Sequence, residues 1–189
     1  TSELYDGKKG IKVIPCYYKK DYPEWSDRGD GPGAPVAVHL PNSPVISTGK
    51  RDGSKIRLPN GNYLEETASY FVMVETKTGG FTPALITMKS TQLNVSKKWN
   101  SMMKTIQIPD GKGGFAIPPM HGVVYNLAST LQKNDKGSWY GWVVTQDRIM
   151  GQDDKALYLS AKEFAGNVSK GSVQTKADVE EKVSDSTPY

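Results

Sequence analysis

Residues 89–104, KSTQLNVSKKWNSMMK, constrain the fold most, because they combine a helical apolar spacing with four lysines and no acidic residue. The apolar residues recur at the intervals that place side chains along one stripe of an α-helix. They are Val95, Trp99, Met102, Met103 and Ile106. Asn94 or Ser96 carries the short oxygen-bearing side chain that caps a first helical turn. The sequence therefore predicts an amphipathic helix that packs on a sheet, with its lysines facing solvent or an anionic partner.

Length and composition indicate a soluble globular protein of one domain with an appendage. The chain has 189 residues, of which 37% are hydrophobic and 23% charged. It contains no run of about 18 apolar residues, so neither a membrane-spanning helix nor a membrane partner is expected. The first ten residues lack the apolar core of a signal peptide. Because Cys16 is the single cysteine, no internal disulfide can form, and we expect a reducing, intracellular setting.

Charge is distributed unevenly along the chain. The net charge is +4, but residues 177–189 hold four carboxylates and one lysine, a local charge of −3, which leaves +7 on residues 1–176. A basic body with an acidic tail favours a polyanionic partner; a solvated terminus is the alternative. We predict that the tail either contacts other proteins or competes for the same groove. Its predicted partner-binding residues are Asp178, Glu180, Glu181, Asp185 and Tyr189.

The rest of the pattern predicts a single β-rich domain over residues 1–168, followed by a flexible tail at 169–189. Strands are predicted at residues 11–18, 36–40, 67–76, 81–88, 121–131 and 138–146, and a second amphipathic helix at 153–168. Short turns join the third strand to the fourth and the fifth to the sixth, so each pair is a predicted hairpin. Stretches rich in glycine and proline predict loops at residues 19–35 and 41–60.

The second of these loops is basic. It carries Lys50, Arg51, Lys55 and Arg57 against one acid, Asp52. Such a loop suits a phosphate backbone, because each phosphate that is neutralised releases condensed counterions. A solvated loop without a partner is the alternative.

The stretch SWYGWVV, residues 138–144, is the other informative feature. Period-two alternation places Tyr140 and Trp142 on one face of a strand, with Gly141 between them on the other. Two aromatic rings at this spacing can stack bases, each stack contributing roughly 1 to 3 kcal/mol. Tyr125 on the partner strand extends the predicted stacking surface. The alternative is that these rings face the core, and at least one face of the strand has to do so.

No catalytic or metal-binding pattern is present. His39, His121 and Cys16 do not make up a zinc ligand set at the usual spacings. The phosphate-binding, dinucleotide-binding and serine-hydrolase motifs are all missing from the sequence. We therefore expect no enzymatic activity, no catalytic residue, no metal and no cofactor.

KSTQLNVSKKWNSMM at residues 89–103 and NDKGSWYGW at 134–142 resemble a group of small bacteriophage proteins that are often described as single-stranded DNA-binding proteins. LPNG at residues 58–61 and EW at 24–25 add to the resemblance. It implies an OB-like barrel that coats single-stranded DNA during phage replication or recombination, in the cytoplasm of the infected bacterial host. It also implies an acidic tail that ends in an aromatic residue and recruits replication or recombination proteins. It brings no catalytic residues. The helix at 153–168 is additional to a minimal five-stranded barrel.

These observations predict an α+β, β-rich fold, either an antiparallel OB-like barrel or a sheet with two packed helices. The expected function is non-catalytic binding of single-stranded DNA; a virion structural protein, such as a capsid or tail component, is the alternative. An enzyme that acts on nucleic acid is a third class, which turnover with added magnesium would reveal. Phosphate contacts are predicted at Lys97, Lys98, Lys104, Arg51, Lys55 and Arg57, and base stacking at Tyr125, Tyr140 and Trp142. Homo-oligomerisation and a preference for DNA over RNA are left open.

Overall fold

The computed structural model describes residues 3–27, 33–135 and 137–173. Its strands are β1 (Ile11–Trp25), β2 (Ala37–His39), β3 (Lys50–Asp52), β4 (Lys55–Arg57), β5 (Tyr63–Glu65), β6 (Thr67–Glu75), β7 (Phe81–Lys89), β8 (Ile108–Pro109), β9 (Phe115–Ala116), β10 (Val123–Asn134) and β11 (Gly137–Ile149). Its α-helices are α1 (Val45–Thr48), α2 (Leu93–Thr105) and α3 (Lys155–Ser169). Short 3-10 helices at Ser90–Gln92 and Gln152–Asp154 lead into α2 and α3.

Strand β1 organises the sheet, because its two halves pair with different strands. Residues 11–13 pair with β10 and residues 13–21 with β6, which gives the antiparallel order β11-β10-β1-β6-β7. Residues 22–25 pair with β2 and β5, and β5 continues to β4 and β3. A bulge between Pro15 and Tyr17 interrupts the pairing with β6. Since a bulge bends its strand and tolerates proline, the sheet curls into an antiparallel half-barrel.

Helix α2 covers one face of this sheet. Trp99 is fully buried; its ring stacks on Tyr70, with centroids 4.4 Å apart, and meets the edge of Tyr125 at 5.6 Å. The Tyr70 hydroxyl lies 2.7 Å from the Ser96 hydroxyl of the same helix. Val13 of β1 belongs to the same cluster. The apolar stripe predicted for the helix is confirmed, because all five of its residues pack in this cluster.

Helix α3 covers the opposite face. Ala161 packs with Ile14 and Cys16 of β1, so consecutive residues of β1 alternate between the two helices. Burial raises the pKa of the Cys16 thiol to about 12, which keeps it protonated at neutral pH. A third cluster, around Leu64 and Tyr22, joins β1, β4, β5 and α1. No helix in the described residues is long and apolar enough to cross a membrane.

The α+β, β-rich prediction is confirmed, as are both hairpins and both amphipathic helices. The loop predicted at residues 19–35 is wrong in its first part, because β1 continues to Trp25. The loop predicted at 41–60 contains α1, β3 and β4. The predicted caps are also wrong: α2 begins at Leu93, before Asn94, and Ser96 bonds to Tyr70 instead. Of the predicted tail, residues 174–189 lie outside the described residues.

Candidate functional site

The far half of the β10–β11 hairpin extends past the paired part of β1 as a two-stranded ribbon, residues 129–134 and 137–142. Strand β1 pairs with β10 only as far as Leu127. In the ribbon Ser129 lies opposite Trp142 and Leu131 opposite Tyr140, so all four side chains share one face. Tyr140 is 70% exposed and Trp142 37% exposed. The two rings form an accessible surface, here called the aromatic platform.

Gly141 lies between Tyr140 and Trp142 in the sequence, but its Cα hydrogens point away from their face of the strand. Gly141 is buried on the opposite face, where a Cβ atom would lie 2.5 Å from the side-chain nitrogen of Gln132. The glycine therefore makes room for the Gln132 side chain that crosses the ribbon. It does not open the platform to a ligand, because the platform is on the other side of the strand.

Tyr125 does not belong to the platform. Its side chain is fully buried against Trp99, and burial raises the pKa of its hydroxyl to about 12. The prediction that Tyr125 stacks a base is corrected, because its ring is a core residue beneath α2. Tyr125 precedes the ribbon, in the part of β10 that pairs with β1 and is covered by the helix.

Helix α2 begins beside the platform. The main-chain N–H of Trp142 donates a hydrogen bond to the side-chain oxygen of Gln92, at 3.1 Å. Lys97 and Lys98 follow Gln92 by five and six residues, about 8 Å along the helix axis, and Lys104 lies about 18 Å along it. All three lysines are exposed, and none forms an ion pair with a residue that the structure describes. They make the outer face of α2 basic.

The other predicted phosphate contacts lie elsewhere. Strands β3 and β4, which carry Arg51, Lys55 and Arg57, are at the opposite end of the strand order from β11. The Arg57 guanidinium lies 3.2 Å from Asp27 and 3.7 Å from Asp52. The Lys55 ammonium lies 3.5 Å from the centre of the Tyr63 ring. The structure therefore separates these residues from the platform and gives two of them partners, while Arg51 stays exposed.

A cavity of about 390 Å³ lies beside the platform. One side is formed by Tyr140 and Trp142, and the other by residues 3–10, here called the N-terminal segment. Ile11 and Leu127 contribute apolar side chains to its lining. Its polar lining comes from Asp6 and Ser129. The cavity thus combines aromatic walls with few polar groups, the usual composition of a small-ligand site.

Hydrogen bonds hold the N-terminal segment against β10. The main-chain oxygen of Gly7 accepts from the N–H of Ser129 at 2.7 Å, and that of Lys9 accepts from the Asn126 amide at 3.1 Å. A Cβ atom on residue 7 would lie 2.4 Å from the Ser129 hydroxyl, so a larger residue here would displace that hydroxyl from its position. Gly10 turns the chain into β1 with a φ of +76°, a conformation that glycine adopts without strain.

The sequence does not predict four residues near the platform: Tyr5, Asp6, Lys8 and Leu131. Lys8 lines a second cavity, of about 610 Å³, together with Leu131 and Tyr140, and it forms no ion pair within the described residues. The signal was the motif YDGKKG at residues 5–10, in which two glycines flank two lysines ahead of the first strand. This pattern predicts a tight basic turn, but not the strand against which it packs.

A buried polar cluster lies in the second half of β1. The Glu24 carboxylate accepts hydrogen bonds from Asn62 at 2.6 Å and Asn60 at 3.1 Å, and its other oxygen lies 2.7 Å from Nε2 of His39. Burial by itself raises the pKa of the Glu24 carboxyl, but the hydrogen bonds outweigh it and hold the pKa below its usual value. The cluster joins β1, β2 and the turn before β5, which is a structural role.

Within the described ranges, no three His, Cys, Asp or Glu side chains lie close enough together to hold a metal ion. His121 packs against Tyr158 at 5.1 Å between ring centroids. Burial lowers the pKa of its imidazole, with a smaller contribution from Lys162. His39 and His121 are thus each fixed in a separate part of the fold, one at the Glu24 cluster and one against α3.

Comparison with known proteins gives one family. A model of the Pam3 phage gp34-like protein family matches residues 1–174, which include every described element. No curated protein and no solved structure matches the chain.

Proposed function

We propose that this chain, which belongs to the Pam3 phage gp34-like protein family, binds single-stranded DNA without catalysing a reaction on it. One observation carries the proposal. Two exposed aromatic side chains, Tyr140 and Trp142, share a face of the ribbon and adjoin a helix whose outward lysines have no ion-pair partner in the described residues. Stacking surfaces beside a basic track are the usual means of binding single strands without reading their sequence.

In this proposal the aromatic platform and the lysines beside it contact different parts of the DNA strand. Tyr140 and Trp142 stack on unpaired bases, which a duplex keeps inside its own stack. Lys97 and Lys98 neutralise phosphates of the same strand and release counterions, and Lys8 does so on the other side of Tyr140. Lys104 extends the track by about two helical turns.

Several further predictions accompany this proposal. The role in phage replication or recombination, the host cytoplasm as its location and the acidic tail as a contact for other proteins all come from the resemblance and the charge pattern. Arg51, Lys55 and Arg57 are left as a separate basic surface that a long strand can reach. The OB-like barrel also stays a prediction, and the proposed mode of binding does not depend on it.

Replacing Trp142 with alanine tests the site. A stacked base contributes roughly 1 to 3 kcal/mol, so we expect Trp142→Ala to weaken binding of an oligo-dT by about 5- to 150-fold. Fluorescence anisotropy of a labelled oligonucleotide measures the change. Phe115→Ala is the matched control, because Phe115 is 71% exposed but lies in the separate two-stranded sheet of β8 and β9. Equal affinities for the two folded variants would contradict the site.

A virion structural protein is the second candidate, and the edge position of β11 favours it. Among the described residues this strand pairs with β10 alone, and it carries exposed Tyr140, Trp142 and Val143. An apolar edge strand is a surface on which further copies can pair. Sedimentation of the purified protein without DNA distinguishes the two functions. A defined assembly that binds no oligonucleotide would favour the structural role.

A further inference from the structure

Hydrogen bonds within the protein hold the walls of the cavity beside the platform in place. Its outer wall, the N-terminal segment, is held at Gly7 by the Ser129 N–H, at 2.7 Å. The Tyr5 hydroxyl lies 3.0 Å from the main-chain oxygen of Glu75, which fixes the far end of the segment to the β6–β7 hairpin. With both ends fixed, a ligand that enters the cavity does not have to order this wall, and that lowers the cost of binding.

The size and lining of the cavity suit one planar aromatic ligand. Its volume of about 390 Å³ lies near the lower end of the range for ligand sites, about 300 to 1,000 Å³. Tyr5, Tyr140 and Trp142 provide aromatic surfaces, and Ile11 and Leu127 contribute apolar lining. The platform is thus open on one side and enclosed on the other by the N-terminal segment.

Asp6 gives the cavity a chemical preference. Among the described residues that line it, Asp6 is the only charged one. One carboxylate oxygen accepts a hydrogen bond from the Lys8 N–H at 2.9 Å, which fixes the side chain. A carboxylate only accepts hydrogen bonds, so it favours a ligand edge with N–H donors and disfavours an edge with a carbonyl oxygen. Its charge also keeps phosphate groups out.

We propose that the cavity binds one base of the DNA strand, and that Asp6 selects a base with an exocyclic amino group, so that cytosine is preferred to thymine. The inference rests on the proposed function. Cytosine presents its N4 amino group where thymine presents the O4 carbonyl, and a carboxylate is a recognised partner of that amino group. The two pyrimidines are similar in size. Besides the group at C4 they differ at N3, which carries a hydrogen only in thymine, and in the methyl group of thymine, so the amino group is also tested on its own below.

The test compares oligo-dC and oligo-dT of equal length, by anisotropy at one salt concentration. The wild-type protein is expected to bind oligo-dC about three- to tenfold more tightly, the effect of one net hydrogen bond. Asp6→Asn should bring the two affinities within about twofold, because an amide can also donate to thymine. Asp135→Asn is the matched control. It removes the same charge at the exposed turn of the ribbon, outside the cavity lining, and should keep the wild-type ratio.

A modified oligonucleotide makes the test independent of protein variants. Replacing each cytosine by N4,N4-dimethylcytosine removes both amino hydrogens, and wild-type affinity should fall to that for oligo-dT or below. Equal wild-type affinities for oligo-dC and oligo-dT would overturn this inference and leave the proposed function standing. An unchanged ratio in folded Asp6→Asn would overturn the role of Asp6. No binding to either strand would overturn both proposals.

Discussion

At the scale of single residues, burial separates aromatic side chains that look alike in the sequence. Trp99 and Tyr125 are fully buried against each other, whereas Tyr140 and Trp142 are exposed on the ribbon. The lysines differ in the same way. Lys12 pairs with Asp147, but Lys98 has no ion-pair partner in the described part of the chain. Exposure and free charge therefore decide which side chains can meet a ligand.

Replacing Lys98 with glutamine should reduce the salt dependence of binding. If Lys98 contacts one phosphate, the slope of the logarithm of the binding constant against the logarithm of the salt concentration should fall by about 0.7 for a single strand. Oligo-dT titrations at four or five salt concentrations give this slope. Lys162→Gln is the control, since Lys162 is an exposed lysine of α3 on the opposite face of the sheet. Identical slopes in both variants and the wild type would remove Lys98 from the site.

Replacing Glu24 with glutamine should destabilise the fold. The substitution leaves hydrogen bonds of a buried cluster unsatisfied, so the free energy of unfolding at pH 7 should fall by about 1 to 3 kcal/mol. The folded pKa of Glu24 is lowered, so its contribution is present above the unfolded value of about 4.3 and is lost as the pH falls through the folded pKa.

Urea unfolding of wild type and Glu24→Gln, at pH 7 and at steps below pH 4.3, measures both effects. The difference between the two proteins should narrow as the pH falls. Exposed Glu163 provides the control, and Glu163→Gln should change the free energy of unfolding by less than about 0.5 kcal/mol. A constant difference across the pH range would show that the charge of Glu24 is not what stabilises the cluster.

At the scale of elements, the sequence predicts a helix or strand correctly where the spacing of its apolar residues matches the face that is buried in the fold. Helix α2 is recognisable because its apolar stripe meets one face of the sheet. The second half of β1 is not recognisable, because KKDYPEW carries charges that find partners only in the folded sheet. Lys20 lies 3.0 Å from Glu66, and Glu24 is enclosed by side chains from β2 and the turn before β5. These contacts are long-range, so no local spacing predicts them.

Long-range contacts also explain which parts of the candidate site the sequence does not predict. Tyr140 and Trp142 are predicted by period-two alternation, which is a property of one strand. Which of the two faces is exposed depends on where β1 stops pairing with β10 and where α2 begins. The cavity depends on Gly7 lying against Ser129, a contact between distant parts of the chain. The sequence therefore predicts that Tyr140 and Trp142 share a face of one strand. It does not predict that the N-terminal segment lies opposite them.

Replacing Trp99 with alanine tests the role of α2 in the core. Trp99 is fully buried between Tyr70 and Tyr125, and removing a buried tryptophan side chain costs about 3 to 5 kcal/mol. Chemical unfolding followed by circular dichroism measures the loss. Lys104→Ala in the same helix removes an exposed side chain and should change stability by less than about 0.5 kcal/mol. A loss below about 1 kcal/mol for Trp99→Ala would contradict this packing.

At the scale of the whole molecule, the sheet has α2 on one face and α3 on the other, and the ribbon extends beyond this layered core. The arrangement lets the ribbon present aromatic rings without exposing the core. It also places beside the rings the lysines of α2, which form no ion pair with any residue that the structure describes, while β3 and β4 hold a separate basic surface. This layout is the one that the proposed binding of a charged, unstacked strand requires.

The central claim is that this chain binds single-stranded DNA through the aromatic platform and the basic face of α2. The most direct measurement is a titration of the wild-type protein with oligo-dT at low and high salt, following tryptophan fluorescence, with a duplex of equal length as control. We predict saturable quenching by the single strand, an affinity that falls as salt rises, and weaker binding of the duplex. No binding of oligo-dT at low salt, or equal binding of the duplex, would contradict the claim.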